Sequence, residues 1–248
     1  MRLSPDSRRK VDEWYMRRFL GPIPSALLRM ITLPVGRQLR TDASRHESAQ
    51  MIHTAMAFVS NERVEGDYLE FGVFRGRSFV EAWHAASYWK RVAMRFVAFD
   101  SFAGLPELGD VDAGGPFRQA DYRASRDEFE ATLRQHRVPP SRVSVVEGLF
   151  EQTLDPDART TVGVRQAAVA VIDCDLYAST VLVLDFLTDL LVDGSVLIFD
   201  DWYTFKGRPD RGEQRATAEW LRRNPRLRLV PYRSFSWSGQ SFIVNTGG

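Results

Sequence analysis

The chain has 248 residues, 44% of them hydrophobic, with 33 basic and 32 acidic side chains and a net charge of +1. That length holds one large α/β domain or two small ones, and the balanced charge offers no global field to draw nucleic acid. One cysteine excludes an internal disulfide framework, no run approaches the roughly 18 apolar residues of a membrane span, and the first residues lack a signal peptide's apolar core, so a cytoplasmic protein is expected.

Residues 1–60 read as an N-terminal helical extension. Positions 1–40 carry nine Lys/Arg against three Asp/Glu, interleaved with Trp14, Tyr15, Phe19, Leu20, Leu27, Leu28 and Ile31. Pro22, Pro24 and Pro34 interrupt the stretch, which argues against one long amphipathic helix. Such an arm suits packing on its own domain or on a second subunit, so a homo-oligomer (dimer or tetramer) is expected. A membrane-surface or anionic partner is the other reading.

From residue 61 onward, short apolar runs alternate with helical spacing. The runs are Asp67–Gly72, Phe96–Asp100, Val143–Gly148, Ala167–Asp173 and Ser195–Asp200; "SFVEAWHAASYW" and "TVLVLDFLTDLL" lie between them. Near-continuous apolar strands separated by helices predict a parallel sheet covered on both faces. "RLRLVPY" and "QSFIVNT" close the chain as an antiparallel pair at one sheet edge. The basic run around "RLRLVPY" reads as a solvated face of that edge. Residues 101–127, rich in Gly, Pro and Asp, form a long insertion after the second strand, where lids and binding loops occur. Ligands of such sheets bind beyond the carboxyl ends of the strands.

Those strand ends are acidic. "DYLEFGVFRGRSF" has a strand, a glycine turn and a helix, but its glycines are spaced Gly72-x-x-x-Gly76 and miss the dinucleotide fingerprint. Glu70 would repel a phosphate and suits a cationic or amine-bearing ligand such as S-adenosylmethionine. Asp100, ending the second strand, is placed to accept ribose hydroxyl protons. The fourth and fifth runs end on Asp173 and Asp175, around Cys174, and on Asp200 and Asp201. Asp175 reads either as a helix cap or as a functional group, and Asp201 could cap a turn before Trp202. Cys174 reads as a buried filler, because no base stands near to stabilise a thiolate. The four histidines, His46, His53, His84 and His136, show no metal-ligand spacing. Arg75 and Arg77 either contact the donor or cover the surface. Tyr177 and Trp202 follow acidic strand ends and either wall an acceptor pocket or pack in the core.

The stretches "YLEFGVFRGRSF", "FDSFAGLPE", "VVEGLFEQTL", "IDCDLYAST" with "VLIFDDW", and "GEQRATAEWL" span residues 68–222. In that order and spacing the chain resembles the macrocin O-methyltransferase family of class I methyltransferases. Two departures are Trp202, where the family commonly has Tyr, and a loosely matching loop at 108–127. The resemblance implies a Rossmann-like α/β domain over residues 61–248, with a seven-stranded, mostly parallel sheet whose last strand is antiparallel. It also implies S-adenosylmethionine as methyl donor, a divalent metal such as Mg2+, and a hydroxylated sugar or glycoside as acceptor. Carried over by position, Glu70, Gly72, Val73, Phe74, Gly76, Ser78, Asp100, Ser101, Phe102 and Asp173 would hold the donor. Asp173, Asp200 and Asp201 would hold the metal, and Asp173 or Asp175 would serve as base. The competing expectation is a non-catalytic binding or scaffold protein on the same fold, for which the basic arm and the loosely matching loop speak.

Overall fold

The computed structural model describes residues 33–154 and 162–247, with side chains from His46 onward; most of the basic arm lies outside the described residues. The chain divides into two compact units, Met1–Glu47 and Ser48–Gly248. Helix α1 (Leu33–Asn61) runs past the boundary expected at residue 60. Its Met51, Ile52, Ala55, Met56 and Val59 are buried in the core. Their i, i+1, i+4, i+5, i+8 spacing makes one continuous helical stripe, so this half of α1 belongs to the larger unit.

The strands are β1 (Asp67–Phe71), β2 (Phe96–Asp100), β3 (Val143–Glu147), β4 (Ala167–Ile172), β5 (Leu191–Phe199), β6 (Arg228–Phe235) and β7 (Gly239–Asn245). They form one sheet in the order β3-β2-β1-β4-β5-β7-β6. β1 to β5 run parallel, and β7 is antiparallel to both of its neighbours. Helices α2 (Arg77–Tyr88), α3 (Arg126–Gln135), α4 (Phe150–Thr153), α5 (Tyr177–Leu187) and α6 (Gly212–Arg223) connect them.

Alternation along the strands explains the two-layered core. Tyr68, Phe96, Ala98, Val169, Val171, Val196 and Ile198 join Phe79 and the buried face of α1 on one side. Leu69, Phe71, Val97, Phe99, Ala170, Ile172, Leu197 and Phe199 join Leu184, Phe186 and Trp220 on the other. β5 begins four residues before its expected start. Ser195 repairs the irregular entry, its hydroxyl donating to the Ala167 carbonyl (2.7 Å) and accepting the Val192 N–H (2.9 Å). β6 is the exposed edge, as its charged sequence predicts. No described helix is long and apolar enough to cross a membrane.

Candidate active site

Parallel register aligns the carboxyl ends of the central strands, with Phe71 opposite both Phe99 and Ile172, and Ile172 opposite Phe199. The next backbone amides continue the ladder: Gly72 N–H donates to Phe99 O, Asp173 N–H to Phe71 O and Asp200 N–H to Ile172 O. Asp100, Gly72, Asp173 and Asp200 therefore stand in one row, across the β1/β4 junction where the strand order reverses. That junction is where open α/β sheets hold ligands.

The turn after β1 is shaped by its glycines. Gly72 has φ +91°, and a Cβ there would stand 1.8 Å from the Asp173 carbonyl oxygen; Gly76, at φ +78°, would meet the Phe129 ring at 2.7 Å. Both positions need glycine for backbone and space alike. Asp100 ties the turn together: Oδ2 accepts N–H bonds from Val73 (2.8 Å) and Phe74 (2.9 Å), and Oδ1 accepts from Phe102 (2.7 Å). Phe74 and Phe102 are both left-handed, at φ 47° and 52°. Ser101 Oγ donates to the Gly104 carbonyl and shapes the next turn. Glu70, expected to face a cationic ligand, is completely buried. It accepts from the Tyr68 hydroxyl and, at 2.5 Å, from Ser78 Oγ. Burial raises its pKa to about 7, against these two hydrogen bonds. Glu70 and Ser78 thus brace the turn from behind.

The acids of the other two strand ends converge. One carboxylate oxygen each from Asp173, Asp175 and Asp201 lies within 4.8 Å of the others. Asp200, expected in this group, is outside it and accepts a hydrogen bond from Ser48 Oγ at 3.2 Å. Asp200 nonetheless stays close, its charge being the carboxylate that acts most on Asp173. Asp175 takes the third place because its backbone is left-handed, at φ 63°. Burial first, then the charge of Asp201 and a hydrogen bond to it, push the Asp175 pKa well up. Burial, then Asp200 and Asp201, raise Asp173 likewise, while burial and Asp201 bring Asp200 to about 6. The strongest charged neighbours of each are other carboxylates.

Asp175 does not cap α5. The Tyr177 N–H at the start of that helix donates to Asp112 Oδ1 (2.9 Å), from the 101–125 loop. Asp112 is buried, and the Arg211 guanidinium holds the adjacent Asp110 and Val111 carbonyls, so the loop is pinned against α5 and α6. Its Tyr122 packs edge-on against Phe74 (6.3 Å), and burial and the three clustered aspartates raise the phenol to about 12. Tyr177 and Trp202 take the packing role: the Tyr177 hydroxyl donates to Glu219 (2.6 Å), and Trp202 packs on Phe199 and Phe242. Arg75 lies over the Phe74 ring and pairs with Glu128 at 3.4 Å. Cys174 is a buried free thiol, as expected. Tyr68 and Asp112, which hold Glu70 and the start of α5, are residues that the sequence reading missed. The parity of Tyr68 with Glu70 along β1 was the available signal for the first; Asp112 acts across 65 residues and left none.

A seven-stranded sheet of this order, closed at its carboxyl edge by a glycine turn and a row of acids, defines a class I methyltransferase fold. The solved calicheamicin methyltransferase CalS11 shares it, with a TM-score of 0.66 and 24% identity over 98% of this chain and 94% of that one. The chain belongs to the macrocin O-methyltransferase family, which matches residues 44–217. It is 32% identical over 146 residues to the 8-demethyl-8-(2,3-dimethoxy-alpha-L-rhamnosyl)-tetracenomycin-C 4'-O-methyltransferase of Streptomyces olivaceus, covering 56% of this chain and 54% of the relative. Demethyldecarbamoylnovobiocin O-methyltransferase of Streptomyces niveus is 29% identical over 58% of this chain and 55% of its own length. The chain spans about half the length of these curated relatives.

Proposed function

We propose that the protein transfers a methyl group from S-adenosylmethionine to a hydroxyl of a sugar or glycosylated natural product, with a divalent cation in the acid cluster. The observation that carries this is the meeting of Asp173, Asp175 and Asp201 beside the glycine turn of β1. Hard carboxylate oxygens whose strongest charged neighbours are other carboxylates suit a hard cation such as magnesium. Bound there, it would orient the acceptor and make its hydroxyl more acidic.

The protein's own groups do the rest. The 72–76 turn seats the donor, and Asp100 Oδ1, with one N–H bond made, keeps a lone pair for a ribose hydroxyl. Asp173, at the end of β4 beside the glycine turn of β1, is the carboxylate we assign as the base. The acceptor oxygen attacks the methyl carbon, the carbon–sulfur bond breaks with its electron pair passing to sulfur, and Asp173 takes the hydroxyl proton. Positioning of this kind supplies about 7–11 kcal/mol in favourable cases. The 101–125 loop is pinned to the start of α5, after the β4 acids, through Asp112. The names of the curated relatives support a glycoside acceptor. A non-catalytic scaffold would have little reason to hold three converging carboxylates, two of them buried.

The test is release of S-adenosylhomocysteine with magnesium and a panel of rhamnosides, beside Asp173→Asn. Acceptor-dependent release by the wild type and none by the variant is expected. Equal rates in the two would overturn the assignment of Asp173.

A further inference from the structure

A fourth carboxyl lies behind the cluster. Glu213, in the first turn of α6, is 1% exposed, and neither of its oxygens has a hydrogen-bond partner. Thr217, one turn on and on the same helix face, has an equally orphaned hydroxyl. Buried polar groups without partners are rare, and each calls for a reason. The charges that act most on Glu213 are those of Asp201, Asp200 and Asp173, in that order, and the Asp201 backbone N–H faces its carboxyl without completing a hydrogen bond. The arginines of α6 are engaged elsewhere: Arg215 pairs with Glu219, Arg222 donates to the Ala218 carbonyl and Arg223 pairs with Asp185. The next residue, Gln214, holds the Trp202 carbonyl at 2.7 Å. The first turn of α6 thus grips the backbone on which Asp201 is mounted.

We propose that Glu213 is a positioning residue for the cation site, which sets how tightly Asp173, Asp175 and Asp201 hold a divalent metal. The proposal rests on the functional reading above and extends it to a residue outside the three ligands. Glu213 acts through Asp201: its buried carboxyl faces the Asp201 main chain from behind the ligand oxygens, where it has no other partner. Groups of this kind behind metal ligands commonly change affinity by about 10–100-fold. The competing explanation is local, because an acid in a helix's first turn favours the helix dipole. That role would show in stability and leave metal affinity unchanged.

Mn2+ alone is the probe, titrated into the full chain with free Mn2+ followed by electron paramagnetic resonance, and S-adenosylmethionine affinity is measured on the same samples by calorimetry. Wild type is expected to bind about one Mn2+. Glu213→Gln, nearly isosteric, is expected to bind it about 10–100-fold more weakly with unchanged donor affinity. Glu213→Asp, which keeps the carboxyl but draws it back, is expected to fall between, and serves should the glutamine variant not fold. Mn2+ affinity equal to wild type in both variants would overturn the proposal. Wild type binding donor but no Mn2+ would instead remove the metal half of the functional reading, and this inference with it.

Discussion

Asp100→Ala removes one side chain and releases three backbone amides. Val73, Phe74 and Phe102 all donate to it at 2.7–2.9 Å, and two of them sit in the left-handed region. A hydrogen bond to a charged group contributes about 1.5–3 kcal/mol, so three give a gross loss of about 4.5–9 kcal/mol. Part of this is offset, since burial already raises the Asp100 pKa and truncation relieves that desolvation. Freed Phe74 and Phe102 also relax left-handed strain of about 1–3 kcal/mol each. A net destabilisation of about 3 kcal/mol follows, a large share of a typical ~5–15 kcal/mol. With a urea slope of about 2 kcal/mol/M, the unfolding midpoint falls by about 1.5 M. Urea denaturation followed by circular dichroism reads this directly, with donor binding measured on the folded fraction. Asp100→Asn keeps one carbonyl oxygen and is expected to lose less. A midpoint within about 0.3 M of wild type for the alanine variant would refute the turn-tying role, since that is under about 1 kcal/mol.

Three other changes test neighbouring parts of the account. The Glu70 pKa is raised from 4.5 to about 7 by folding, so its contribution is present below pH 4.5 and lost as pH rises through 7. That shift of about 2.5 units corresponds to about 3 kcal/mol; metal- and donor-free protein should melt at lower temperature at pH 8 than at pH 5, and Glu70→Gln should flatten the dependence. A melting temperature independent of pH in the wild type would contradict it. Gly72→Ala puts a Cβ 1.8 Å from the Asp173 carbonyl at φ +91°, and insoluble or unfolded protein is expected on expression; a soluble variant with wild-type donor affinity would contradict the close β1/β4 approach. Asp112→Ala removes the cap of α5, worth about 1 kcal/mol, and should speed proteolytic cleavage within residues 101–125; unchanged cleavage would show that the loop is held elsewhere.

The strands were legible because central parallel strands are buried on both faces and read as unbroken apolar runs, as in "AAVAVI" of β4. The acidic ends were legible for the opposite reason, since carboxylates at the close of such runs have no place in a core. What was not legible was which oxygens meet. Asp200 and Asp201 are alike in sequence, and only the fold brings Asp200 to Ser48 and Asp201 to Asp173 and Asp175. Asp175 could be read as a cap or as a functional group, and the cap of α5 came instead from the remote Asp112. The burial of Glu70 followed from a partner, Tyr68, whose ring packs on Phe79 and Phe96 while its hydroxyl turns to the acid. Long-range partners of this kind leave no local pattern.

The central claim is that the carboxyl edge of β1, β2 and β4 binds a methyl donor. Calorimetric titration of S-adenosylmethionine into the wild-type chain, with magnesium and then with chelator, tests it most directly. Saturable binding at about one donor per chain, competed by S-adenosylhomocysteine, is the expected result. No heat and no competition under either metal condition would contradict the account.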